Sequence, residues 1–177
     1  KDGMHMATSY PDAKSADPLD EGLRFQAFVA EQLKRRFGIQ IDYYTSVNDQ
    51  YGIGESRQGY EVKLDALCTQ TGRLSIEIAE KTRASNWEYR PSGIYRQDNS
   101  VFYVQGNRIV FYVFRKEHLV ELHQQRYAGT EIEKRGTIRT FYIPLAVAGR
   151  EAIHVVKCTM LSDGVNVEAS SPIYDGL

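Results

Sequence analysis

The stretch "GYEVKLDALCTQTGRLSIEIAEK", from Gly59 to Lys81, gathers carboxylates and amines at short spacing: Glu61, Lys63, Asp65, Glu77, Glu80 and Lys81. Side chains on a strand alternate between faces. Glu61, Lys63 and Asp65 therefore share one side, as do Glu77, Ala79 and Lys81 on the next strand, while Val62, Leu64, Ile76 and Ile78 fill a core face. Gln70-Thr71-Gly72 fits a three-residue hairpin loop with glycine in the left-handed position. Pairing about Thr71 then sets Asp65 opposite Glu77, Lys63 opposite Ala79 and Glu61 opposite Lys81. Carboxylates facing each other at about 5 Å repel unless a positive charge lies between them. A hard divalent cation with oxygen ligands resolves the conflict. Lys63 would hold and polarise a water beside that cation, in room left by the small Ala79. The competing reading is a solvated strand face, with Glu61 and Lys81 as a cross-strand ion pair. A one-residue slip in register would abolish the Asp65–Glu77 pairing.

These strands need elements to hold them. Asp17-Pro18-Leu19-Asp20-Glu21 reads as a helix start: an N-cap, a first-turn proline and acids that suit the helix dipole. Leu23, Phe25, Ala27, Phe28, Val29, Leu33 and Phe37 follow on one buried face. Lys34-Arg35-Arg36 places cations in the last turn, and Gly38 ends the helix. Strands are expected at Ile39–Tyr44, Tyr60–Leu67, Arg73–Ala79, Val101–Val104, Ile109–Phe114, Thr137–Ile143 and Ile153–Met160, with a helix at Glu117–Arg126. Residues 45–58 read as loop. The order predicts an α+β fold with a mixed β-sheet and flanking helices in one domain, 18–161. A flexible arm (1–17) precedes it and a polar tail (162–177) follows it. The opening "KDGMHM" reads as extraneous to the fold, with Met6 as the natural start.

The 177 residues are enough to bury a core, and 42% hydrophobic with 25% charged residues is an ordinary globular balance. Twelve Tyr and seven Phe favour a β-rich interior. No apolar run reaches membrane-span length and no secretory signal is visible. Cys68 and Cys158 lie far apart without metal spacing, which points to reduced, structural cysteines in an intracellular, cytoplasmic protein. A net charge of −1 neither demands nor excludes nucleic acid, and a nucleic-acid enzyme would have to gather its positive charge locally. There is no phosphate-binding glycine loop, dinucleotide fingerprint, nucleophile elbow or helical histidine pair. Those absences weigh against a nucleotide-dependent kinase, an esterase or a protease.

A helix followed by strands, with acids on two successive strands and a nearby lysine, resembles the PD-(D/E)XK nuclease superfamily, whose fold is restriction-endonuclease-like. The resemblance runs from Leu19 to Phe114. Two frames carry it. In the first, Asp65 is the leading acid and Glu77-Ile78-Ala79 the second part; Ala79 stands where the family has lysine, and Lys63 supplies the amine from the neighbouring strand. In the second, Asp49 leads and Glu61-Val62-Lys63 matches the motif literally. The first is preferred because it uses Glu77; Lys63 serves both. The family often adds a helix glutamate, for which Glu21 is the candidate, although its first-turn position already suits the helix dipole.

The resemblance implies hydrolysis of phosphodiester bonds, most directly in DNA with RNA left open, by Mg2+ or Mn2+. Asp65 and Glu77 are the implied ligands, with the Ile78 carbonyl as a third, Lys63 orienting the water, and Glu61 with Lys81 fixing the ligands. Arg57, Lys81 and Arg83 are the candidate phosphate contacts. Trp87 and Tyr89 could stack on bases or simply pack. A homodimer is expected if both strands are cut. The alternative is a catalytically inactive nucleic-acid- or protein-binding module of the same fold, to which the missing lysine at Ala79 points.

Overall fold

The computed structural model describes residues 18–161 and 164–170; the proposed arm and the Asp17 cap lie outside them. Helix α1 (Pro18–Phe37) carries Asp20 and Glu21 in its first turn and Lys34, Arg35 and Arg36 in its last. It closes at Gly38 (φ 66°), where the Gly38 amide donates to the Lys34 carbonyl at 3.0 Å and the Ile39 amide to the Leu33 carbonyl at 3.3 Å. These paired closures satisfy carbonyls that the last turn leaves free. Phe25, Val29 and Leu33, at intervals of four, form its buried stripe, while Leu23 at the same end remains exposed.

The strands are β1 (Tyr60–Leu64), β2 (Arg73–Glu80), β3 (Arg90–Pro91), β4 (Phe102–Gly106), β5 (Val110–Arg115), β6 (Ile132–Lys134), β7 (Ile138–Pro144), β8 (His154–Leu161) and β9 (Gly164–Ser170). Short helices α2 (Val47–Gly52), α3 (Cys68–Thr71), α4 (Lys116–Leu122) and α5 (Leu145–Glu151) connect them, and α4 runs on into a π-helical turn, His123–Tyr127. The class is α+β, but the expected single mixed sheet is corrected to two. One has the order β1-β4-β5-β8-β9, with β1 parallel to β4 and the other pairs antiparallel. The second, β3-β2-β7-β6, is antiparallel throughout.

Alternation along β5 organises the layers. Phe111 and Val113 join Val62, Val104 and Val156 beneath Phe25, Val29 and Leu33 of α1. Val110, Tyr112 and Phe114 turn the other way, with Tyr103, against Leu74, Ile76, Ile78, Phe141 and Ile143 of the second sheet. The result is helix on sheet on sheet, with two apolar clusters on either side of the central layer.

Several boundaries differ from expectation. The hairpin about Thr71 does not form: β1 pairs with β4, and β2 pairs with β7 and β3. Gly72 does take the left-handed conformation (φ 68°), but as the C-cap of α3, which turns the chain from one sheet to the other. Ile39–Tyr44 yields only an isolated bridge, Tyr43 to Ser56. The stretch read as loop before β1 contains α2, whose amide at Asp49 is capped by the Ser46 hydroxyl. Residues 164–170, assigned to the tail, extend the first sheet beside β8. No helix among the described residues is long and apolar enough to cross a membrane.

Candidate functional site

β1 is the edge strand of the central sheet, and its register with β4 puts Glu61 beside Tyr103, Val62 beside Val104 and Lys63 beside Gln105. Val62 therefore faces α1, whereas Glu61 and Lys63 face the side shared with the second sheet. The period of two places both charges on one face, and the second sheet packed against Tyr103 makes that face interior at Glu61. Glu61 is only 1% exposed.

Lys63 holds the cluster together. Its Nζ lies 3.0 Å from Glu55 Oε1 and 3.1 Å from Glu61 Oε1. Glu55 Oε2 also accepts the Val62 amide at 3.0 Å, capping an outward N–H of the edge strand. Behind Glu61, the buried Lys116 lies 3.8 Å from Glu61 Oε2 and 3.0 Å from Asp98 Oδ1. Lys116 also donates to the Arg96 carbonyl at 2.9 Å and the Ser100 hydroxyl at 2.7 Å. This buried lysine is well satisfied by Asp98 and its loop; Glu61 is not. Neither Glu61 oxygen has a hydrogen-bond partner among the described residues, and nor does the buried Tyr103 hydroxyl beside it.

The electrostatics follow. Burial raises the Glu61 carboxyl pKa above its ordinary value, with Lys63 opposing and Glu55 reinforcing. Burial works against the Lys63 ammonium, but Glu61 and Glu55 outweigh it and hold Lys63 protonated well above the usual lysine range. Lys63 is thus a fixed cation at neutral pH. Burial also pushes the Cys68 thiol up to about 11, with Asp65 adding to the effect, so this cysteine is no nucleophile.

Two clefts meet at this cluster. A larger one, about 480 Å³, is lined by Glu21, Lys63, Asp65, Ser75 and Glu77, with Arg73, Lys134 and Arg135 also on its walls. A smaller one, about 210 Å³, is lined by Glu55, Glu61, Lys63, Glu77, Glu80 and Arg96. Lys63 and Glu77 border both. Glu77 accepts a hydrogen bond from the Ser92 hydroxyl. Gly93 (φ 51°) lies so close to the Glu77 backbone that a Cβ there would overlap the Glu77 carbonyl oxygen.

The structure places Glu21, Lys63, Asp65 and Glu77 around one cleft, but not through the expected hairpin. Asp65 Oδ2 accepts the Ser75 amide at 2.9 Å and the Gln105 side-chain amide at 3.3 Å, a link between the sheets rather than a cross-strand pair with Glu77. Ala79 pairs with Arg139 and Pro91, so Lys63 does not fill a gap opposite it. Lys81 is corrected on two counts. It does not pair with Glu61, and its charge is engaged by Glu133 at 3.0 Å over the Tyr89 ring. Asp49 sits in the first turn of α2 and lines neither cleft. Glu55, which the sequence reading passed over, stands against Lys63 instead. Its signal was its position in a glycine-flanked loop just before β1. Arg57 lies over the Tyr44 ring and, like Arg83, lines neither cleft. Trp87 is 89% exposed on the loop after β2 and packs against no core.

Among the described residues, no group of three His, Cys, Asp or Glu side chains is placed so that it could hold a metal ion. The donor chemistry still suits a hard cation. Glu55, Glu61 and Glu77 are all carboxylates, and Glu61 Oε2 is buried with no hydrogen-bond partner among the described residues. Comparison with protein-family models, with curated proteins and with solved structures finds no match.

Proposed function

We propose that this chain is a divalent-metal-dependent nuclease that hydrolyses phosphodiester bonds, most directly in DNA. The observation that carries the proposal is Glu61 and Lys63, two apart on an edge strand, with Glu55 and Glu77 brought to the same cavity and Glu61 Oε2 buried with the Lys116 ammonium no nearer than 3.8 Å. The literal Glu-Val-Lys frame is favoured over the hairpin frame. An α-helix laid over a sheet whose edge strand carries that motif, parallel to its neighbour, supports a restriction-endonuclease-like core.

Glu55, Glu61 and Glu77 would hold Mg2+ or Mn2+, which supplies Lewis acidity and lowers the pKa of water. Glu21 and Asp65 border the neighbouring cleft, where Asp65 fixes the end of β1 to β2. Lys63, held protonated by two carboxylates, cannot serve as a general base. It orients a water and offsets negative charge that develops on the phosphoryl oxygens. Lys116 positions Glu61 from behind, and Ser92 positions Glu77. Cutting both strands of a duplex calls for two copies of the chain.

One observation favours a second reading, an inactive binding module: Lys63 already neutralises Glu55 and Glu61. Plasmid cleavage in magnesium separates the two. The nuclease reading expects cleavage that falls at least about 100-fold in Lys63→Ala. Equal cleavage by wild type and variant points to a contaminating enzyme. No cleavage by the folded wild type, in magnesium or manganese, leaves the binding module.

A further inference from the structure

We propose that Arg73, Lys134 and Arg135 form a basic wall of the larger cleft that grips the phosphate backbone of a nucleic acid beside the carboxylates. The inference rests on the nucleic-acid reading above and names the contacts that seat the strand. All three line the same cleft as Lys63, Asp65 and Glu77.

Their charges are free for a ligand. No carboxylate among the described residues forms an ion pair with any of them, whereas Lys81 is engaged by Glu133 and Lys116 by Asp98. Lys134 donates to the neutral Ser75 hydroxyl at 3.3 Å. The Arg73 guanidinium stacks 3.8 Å above the Tyr142 ring, which fixes its plane and leaves its N–H groups to bind outward. Register explains why Arg73 shares a wall with an acid. Arg73, Ser75 and Glu77 alternate onto one face of β2, with Tyr142 and Thr140 beside Ser75 and Glu77 on β7. Arg73 therefore stands roughly 13 Å from Glu77 along the strand.

Arg135 adds an independent signal. It is the one non-glycine residue with positive φ (55°) among the described residues. It precedes Gly136 (φ 72°) in the turn between β6 and β7, where the Thr137 amide donates to the Lys134 carbonyl at 3.3 Å. A turn with two left-handed central residues favours asparagine or glycine at the first, and an arginine there is strained. The strain places a long cation at the cleft mouth, where glycine would suit the backbone better. A surface arginine with only a structural role gives no reason for that exchange.

The test is binding without chemistry. Anisotropy of a short labelled duplex and of the matching single strand is followed in EDTA across a salt series. Wild type and variants Arg73→Ala, Lys134→Ala, Arg135→Gly and their combination are compared, with thermal melts beside them. Each cation removed should lower the slope of log Kd against log salt by about 0.9 on a duplex or about 0.7 on a single strand. The combined variant should bind at least about tenfold more weakly. Arg135→Gly should lower affinity while its melting temperature holds or rises, because glycine relieves the left-handed backbone. Unchanged slopes in folded variants overturn the wall, as does a wild type that binds neither strand form. A wild type that binds with the expected slopes but never cleaves in magnesium overturns the nuclease reading and leaves the wall standing. A wild type that cleaves while the combined variant keeps its slope overturns the wall alone.

Discussion

Glu61→Gln separates a carboxylate kept for chemistry from one kept for the fold. The side chain is 1% exposed, 3.1 Å from the Lys63 ammonium and 3.8 Å from that of Lys116. At an effective dielectric of about 20, these distances correspond to attractions of about 5 and about 4 kcal/mol. Against them stands the lost hydration of a buried carboxylate, which costs several kcal/mol, and repulsion from Glu55. No hydrogen bond offsets that loss at Oε2, whose nearest cation is Lys116 at 3.8 Å. The two sides cancel to within a few kcal/mol. Glutamine keeps the shape and removes the charge, Lys63 keeps Glu55 and Lys116 keeps Asp98. The unfolding free energy of metal-free protein should therefore change by less than about 3 kcal/mol. Manganese affinity, read by calorimetry, should fall at least about 100-fold.

The pH dependence adds a sign. A carboxyl pKa raised by folding means that the native state binds the proton more tightly than the unfolded chain does. Wild-type stability therefore falls as pH rises from the ordinary value of 4.5 through the raised one. The glutamine variant lacks this term, so its stability relative to wild type should climb over that window and then level off. Chemical denaturation at a series of pH values reads both. A loss of more than about 3 kcal/mol together with unchanged manganese binding would refute the reasoning, since it would make Glu61 a structural ion-pair partner.

Lys116→Met should cost about 2 kcal/mol in urea unfolding at neutral pH, because it leaves the buried Asp98 carboxylate with Arg96, 3.3 Å away, as its remaining cation among the described residues. Burial acts to raise the Asp98 pKa, but hydrogen bonds from Ser100 and the charge of Lys116 prevail and hold it low. Its stabilisation is therefore present above 3.8 and lost as pH falls through the lowered value. The variant's deficit should shrink in that acid range. Gly93→Ala should destabilise by about 2 kcal/mol and weaken metal binding by displacing Glu77, because the added Cβ meets the Glu77 carbonyl at a left-handed backbone position. A variant as stable as wild type would show that the close approach of Gly93 to β2 relaxes at no cost.

Much of the element pattern was legible. The α1 stripe at Phe25, Val29 and Leu33 is a 3.6-residue period, and β5 alternates cleanly between two cores. These are local signals, readable within one turn or pleat. The short helices α2 and α5 carry no comparable period and were missed. The clearest error was at Gly72. A left-handed glycine after Gln70-Thr71 was rightly anticipated, but such a residue closes a hairpin and caps a helix equally well. Strand pairing itself has no local signature. The choice of β4 as the partner of β1, some forty residues on, rests on burying Val62 and Val104 side by side beneath α1.

For the site, the sequence alone determined that Glu61 and Lys63 share a face, because strand geometry requires it, and that Lys63 belongs to any reading of this region. Tertiary structure alone decided that this face is interior at Glu61 and opens onto the clefts at Lys63, because the second sheet covers one end of it. It also decided which acid meets Lys63. Glu55 does so because the chain from α2 bridges back beside the edge of β1, whereas Asp49 is spent in a helix turn. Charge spacing along a chain sets what chemistry is on offer. Which charges meet, and at what cost in hydration, is set by contacts between residues distant in sequence.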